Sequence, residues 1–218
     1  GKFDSFTSEN WIDVVVQDAD EIIHLTSIGD KLLQFKRKVL HIINCQEDLE
    51  ILEASFRFAG VTSSTQVATT DFGVIWANVN GLFFYNGSKI QNLLDDEGQF
   101  LLNKTTWRDT VTETKNFEVN VGYNATTKDV IIMRQGSDDT HQSGGFIFNL
   151  YKKNIIKLRN KFTDSVKSNF VDTYDGNLAY IDKSTKLLKI WNPEPSDENR
   201  YTGTLLQTRD ITFKNPSV

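Results

Sequence analysis

The sequence predicts an all-β chain: a β-propeller-like array of about four small antiparallel sheets, with one short helix near residues 105–112. Three observations carry this. First, the stretch from Gly60 to Leu93 writes out a β-meander. Its apolar runs Gly73–Ala77, Leu82–Tyr85 and Lys89–Leu93 are separated by Asn78-Val79-Asn80-Gly81 and Asn86-Gly87-Ser88. An Asn-Gly pair between such runs is a strong hairpin signal, because a two-residue turn needs the positive φ these residues accept. Second, weaker copies of this unit recur along the chain. Third, 15 Phe, 6 Tyr and 4 Trp against only 3 Pro suit pleated surfaces, where aromatic side chains pack well.

The copies follow in order. The first is Gly29-Asp30, the run Leu32–Phe35, the turn Lys36–Lys38 and the run Val39–Ile43. The second is Asp71 to Leu93. The third is Asp129–Arg134, a polar loop from Gln135 to Gly145, then Phe146–Leu150 and Ile155–Leu158. The fourth is Asp175-Gly176, Asn177–Ile181, the turn Asp182–Thr185 and Lys186–Trp191. Their first strands start near residues 31, 73, 129 and 177, a spacing of roughly 40 to 55 residues. That period matches propeller blades; a two-sheet sandwich of regularly spaced hairpins is the alternative. Between the second and third copies, Trp107 and Val111 fall four residues apart, as one helical face requires, with Asn103 or Thr105 as cap. Pro193 to Asn199 reads as a loop, and Leu205–Phe213 as a long strand.

At 218 residues the chain buries enough surface to fold without disulfides or metal. It reads as a single propeller-like domain over residues 1–218; starting at Gly1 rather than Met, it also reads as a piece of something longer. Net charge is −5 with signs interspersed, and no basic stripe of the nucleic-acid-binding kind is present. Lys36-Arg37-Lys38 reads as a solvated hairpin turn. The single cysteine, Cys45, rules out an intrachain disulfide framework and reads as a small buried hydrophobe. No secretory signal and no apolar run near 18 residues occur, so no membrane span is expected. The sequons at Asn86, Asn103 and Asn124 read as turn residues.

No motif specifies a reaction, and no catalytic, cofactor-binding or metal-ligating residue is assigned. His24 and His41 fall in apolar strands as packed imidazoles, and His141 sits in a polar loop without further ligands. Asp18-Ala19-Asp20-Glu21 lacks the remaining ligands of a calcium loop, and Asp95-Asp96-Glu97 reads as an exposed loop. The sharpest short motif is Thr69-Thr70-Asp71-Phe72-Gly73-Val74-Ile75-Trp76, an Asp-box-like turn formed by Thr69, Asp71, Gly73 and Trp76. Its physics is structural: the carboxylate accepts backbone N–H bonds, the glycine supplies unusual φ, and the tryptophan packs beneath. A sialidase-like hydrolase would need two carboxylates facing across a cleft, which 29 Asp and Glu residues neither single out nor exclude.

The run Glu21 to Lys36 followed by Val39-Leu40-His41-Ile42-Ile43 resembles a blade of tailed-bacteriophage virion proteins. Their next blade reads glycine, a Ser/Thr-rich segment, a GxxW strand and a glycine-aromatic strand. Here it is Gly60, Ser63–Thr70, Gly73-Val74-Ile75-Trp76 and Gly81-Leu82-Phe83-Phe84-Tyr85-Asn86-Gly87. The likeness covers residues 12–115 and carries no functional side chains across. It implies a non-enzymatic tail component of the nozzle or tail-tube kind from a short-tailed phage, located in the virion. It implies other tail proteins as partners and a homo-oligomeric ring, with DNA only in passage and no cofactor. An acidic balance suits passage, because phosphate neutralisation by cations drives DNA affinity. A carbohydrate- or receptor-binding module is the alternative, with Trp11, Trp107 and Trp191 as stacking surfaces where exposed.

Overall fold

Strands in this chain pair with their neighbours in sequence, sheet after sheet. The computed structural model describes residues 20–46, 50–96, 99–111, 119–134, 144–159, 170–182 and 187–191. Trp11, Asp18, His141, Pro193 to Asn199 and Leu205–Phe213 lie outside them, as does most of the expected 182–185 turn. The first sheet is β1 (Ile22–Ile28), β2 (Lys31–Lys36), β3 (Leu40–Asn44) and β4 (Ile51–Phe56), antiparallel in that order. The second follows a single 3-10 turn at Ser64–Gln66 and comprises β5 (Val67–Thr70), β6 (Gly73–Asn78), β7 (Gly81–Tyr85) and β8 (Ile90–Asn92). A short ribbon, β9 (Asp95–Asp96) with β10 (Gln99–Phe100), and helix α1 (Lys104–Val111) come next. The third sheet is β11 (Val119–Asn124), β12 (Asp129–Arg134), β13 (Gly144–Asn149) and β14 (Asn154–Arg159). The fourth, among the described residues, is β15 (Val171–Asp172), β16 (Leu178–Asp182) and β17 (Leu187–Ile190).

Period-two alternation decides how the sheets stack. On β6, Val74 and Trp76 join Leu33, Phe35, Leu40 and Ile42 of the first sheet. Ile75 and Ala77 of the same strand face the other way, into a core with Val119, Val121, Val130 and Ile132 of the third sheet. On β12, Ile131 and Met133 turn from that core towards Leu178 and Trp191. The second and third sheets therefore bury both faces, whereas a two-layer sandwich buries one face of each. The first strands lie against one another, β11 beside β5 on one side and β15 on the other. The result is an all-β, propeller-like array.

Helix α1 fills space where the second and third sheets diverge. Asn103 caps it: its Oδ1 accepts the Thr105 N–H at 2.8 Å and its carbonyl accepts the Trp107 N–H at 3.0 Å. Trp107 and Val111 are both buried. The Trp107 indole stacks on Phe146 at 5.4 Å and donates its Nε1–H to the Asn78 carbonyl at 2.9 Å.

Several local expectations are met, and two are corrected. Asn86 Oδ1 accepts from the Ser88 and Lys89 N–H groups, and Asn124 Oδ1 from those of Thr126 and Thr127, so both are turn residues. His41 is buried and shares a 2.7 Å hydrogen bond with Ser55 Oγ. His24 is half-buried beside Phe35, and that burial lowers its pKa. Cys45 is exposed rather than buried, because β3 ends at Asn44 and the next residue enters the β3–β4 connection. Asp95 and Asp96 form a strand rather than a loop, paired with Phe100 and Gln99.

Candidate functional site

The turns joining first to second strands gather at one end of the array. In the β5–β6 turn, Thr70 Oγ1 accepts the Phe72 N–H at 3.2 Å and donates to the Gly73 carbonyl at 2.9 Å. Thr70 therefore does the work expected of the Asp71 carboxylate, which points across to the next sheet. Asp71 Oδ2 accepts from Lys128 Nζ at 3.0 Å. Lys128 holds a left-handed backbone, φ 60°, in the β11–β12 turn, and its ammonium lies 5.3 Å from the Phe72 ring centroid. Thr126 Oγ1 in the same turn donates to the Gly176 carbonyl of the fourth sheet at 3.3 Å.

The four Asp-box-like residues thus separate. Thr69 reaches back to Thr26 of the first sheet, hydroxyl to hydroxyl at 3.4 Å. Gly73 is required by close approach: a Cβ there would sit 2.1 Å from the Tyr85 carbonyl oxygen. Trp76 is fully buried between Phe35, edge-on at 5.3 Å, and Phe83, stacked at 5.5 Å. Thr69 and Asp71 are exposed, whereas Gly73 and Trp76 are buried.

Charge at this end is graded. Burial, then the Asp71 charge, raises the Asp172 pKa, so the carboxyls of the second and fourth sheets feel each other. The hydrogen bond to Asp71 raises that of Lys128. Among the described residues no group of three or more His, Cys, Asp and Glu side chains is placed to hold a metal ion. Asp20, from the sequence that suggested calcium, accepts the Lys38 N–H at 2.9 Å, and Glu21 pairs with Arg37. The expected solvated turn Lys36-Arg37-Lys38 is corrected in part: Arg37 and Lys38 are exposed and held by Glu21 and Asp20, but Lys36 is buried at the end of β2.

A groove of 690 Å³ opens beside these turns, between the later strands of the second and third sheets. Phe84, Leu93, Leu101 and Phe148 are among its lining residues, as are Tyr151 and Lys153 of the β13–β14 turn. Tyr151 is 72% exposed and Phe72, also on the groove, 48%. Trp107 and Trp191, stacking surfaces only where exposed, are both buried in packing between the sheets. Sequence reasoning missed the groove because its walls come from segments up to about 80 residues apart, joined only by sheet stacking.

No family model matches the sequence, and no curated protein matches it. Among solved structures, the chain is similar to the extracellular domain of a putative one-component system from B. thetaiotaomicron. Identity is 17% and the TM-score 0.45, covering 76% of this chain and 21% of the other. The chain thus spans about a fifth of that protein's length. A likeness at this level bears on neither function nor partner.

Proposed function

We propose that this chain is a non-enzymatic structural protein of a tailed-phage virion, a component of the tail nozzle or tube. It acts through protein–protein contacts, as one subunit of a ring through which DNA passes. The observation that carries this reading is the outer face of the fourth sheet. Ile181 pairs with Leu188 and Ala179 with Ile190, so Ile181, Leu188 and Ile190 share one face with Val171. These four are 45%, 66%, 48% and 58% exposed. Faces of this composition inside the array are covered by the next sheet. At the opposite end, the edge strands of the first sheet expose Leu25 and Leu52, 52% and 38%, on a face whose central Gln34, His41 and Ile43 are buried. An exposed apolar face marks an interaction site, and two different faces meeting head to tail generate rings when the rotation closes. The partner is a second copy of the chain, the exposed edge strands of its first sheet meeting the fourth sheet of its neighbour, with other tail proteins around the ring. The phage-like order of the first two sheets supports the same reading.

Mass spectrometry of purified particles tests it. The expected result is this chain at a fixed multiple copy number per virion; its absence from particles overturns the proposal. The double variant Leu188→Lys with Ile190→Lys is expected to lose self-association in sedimentation while keeping the wild-type melting temperature.

A carbohydrate- or receptor-binding module is the second reading. Tyr151 and Phe72, exposed beside the groove, favour it, and a glycan array without a hit sinks it.

A further inference from the structure

The second and third sheets diverge away from their paired first strands, and the described residues fill only part of the resulting wedge. Trp107 occupies one part, stacked on Phe146. Two residues along β13, on the same strand face, Phe148 lines the open groove with Phe84, Leu93 and Leu101. The volume of 690 Å³ falls within the range of pockets that enclose a ligand of several rings. Its most natural occupant repeats what Trp107 does next door: an aromatic ring inserted between the two sheets.

The lip of the groove adds a charge. Tyr151, Lys152 and Lys153 form the β13–β14 turn, which Asn149 fixes: its Oδ1 accepts the N–H groups of Tyr151 at 3.1 Å and Lys152 at 2.8 Å, and its carbonyl accepts that of Lys153 at 2.9 Å. Lys152 and Lys153 are exposed, and no described residue pairs with their ammonium groups. The nearby Lys128 is held by Asp71, and Asp95 on the groove wall has an interaction of its own. The unmatched charge at the lip is therefore positive, on a turn already ordered before anything binds. Preorganised sites lose less entropy on association.

We propose that this groove docks a large aromatic side chain of a protein partner, with neighbouring carboxylates of that partner meeting Lys152 and Lys153. This rests on the reading of the chain as a protein that works through protein contacts, and it names the chemistry of one such contact.

N-acetyl-tryptophan, an indole carrying one carboxylate, is the probe. Added to the 15N-labelled full chain, it is expected to shift amide resonances of residues 91–95 and 148–153 saturably, at millimolar concentration. The neutral N-acetyl-tryptophanamide is expected to bind at least threefold more weakly, and Lys153→Gln to abolish that difference. Leu93→Trp, which fills the groove, is expected to remove the shifts. Absence of saturable shifts at these residues overturns the proposal, as does equal affinity for the two probes. A response to maltose without a response to N-acetyl-tryptophan also overturns it, in favour of a glycan site. Particle mass spectrometry is independent of this titration, so the groove and the tail role fail separately.

Discussion

The interface between the first and second sheets differs from that between the second and third, although one strand, β6, supplies both. Towards the first sheet β6 presents Trp76, whose ring meets Phe35 and Phe83. Towards the third it presents Ile75 and Ala77, too small to span the widening gap, and a helix brings Trp107 to fill it. The first interface is closed by side chains of its own strands together with Ala59 and Val61 of the short connection between the two sheets. The second is closed by an inserted segment, polar ties between turns and, on one side, a groove left open. Alternation along a single strand therefore sets which side of a sheet is solid and which has room for a partner.

The largest expected effect comes from emptying the solid side. Trp76→Ala should cost about 3–5 kcal/mol, the range for a fully buried large aromatic, measured by urea unfolding. A cost below about 1 kcal/mol would mean that the two sheets do not rely on this contact.

Next is Gln66, whose amide serves the second sheet from within. Its Nε2–H donates to the Ala77 carbonyl at 2.8 Å, while its Oε1 accepts the N–H groups of Thr62 at 2.6 Å and Ser63 at 2.9 Å. Gln66→Leu leaves the buried Ala77 carbonyl unmatched and frees the Thr62 and Ser63 N–H groups, and should cost about 1–3 kcal/mol. A stability equal to wild type would show that water replaces the amide.

A smaller and more discriminating effect compares the two tryptophans. The Trp107 indole N–H is bonded to the Asn78 carbonyl, whereas Trp76 Nε1 is buried and has no hydrogen-bond partner among the described residues. Trp107→Phe should therefore lose about 1 kcal/mol more than ring shrinkage alone, through the orphaned carbonyl, and Trp76→Phe should not. Equal losses in paired thermal melts would count against this distinction.

The smallest effect lies in the turns. Asp71→Asn removes a charge that helps to raise the Asp172 pKa. A carboxyl with a raised folded-state pKa destabilises the fold when ionised, and that penalty is relieved as pH falls through the raised value. In the variant the Asp172 pKa should move down towards the ordinary aspartate value, read by NMR titration, with no measurable change in melting temperature. An unchanged Asp172 titration would separate the second and fourth sheets at this end.

The second sheet could be read from sequence because its turns are dictated locally. Asn86-Gly87, with φ 92° at Gly87, marks the β7–β8 reversal, the β6–β7 reversal falls one residue early at Val79-Asn80 with Gly81 opening β7, and Asn103 announces α1 by capping it. The starts expected near residues 31, 73, 129 and 177 fall at Lys31, Gly73, Asp129 and Leu178, each the second strand of its sheet. The first strands were harder to see because β5 and β15 are short and polar or exposed, β15 having only two residues. Ser63-Ser64-Thr65-Gln66 carries the S-x-x-Q pattern of a capping box, and the box forms, but the burial of the Gln66 amide against Ala77 depends on packing that the pattern does not encode. The partnership of Asp71 with Lys128, 57 residues away, and the groove walls depend on stacking, which local patterns do not encode.

Asn78 links more than its own hairpin. Its side-chain amide donates to the carbonyls of Phe58 at 3.0 Å and Gly60 at 2.8 Å, and its own carbonyl accepts the Trp107 indole N–H. These bonds are complete only when the connection leaving the first sheet, the β6–β7 turn and the helix are all in place. Such a residue couples local opening events, so the first two sheets and α1 should exchange their protected amides through one shared unfolding step rather than sheet by sheet.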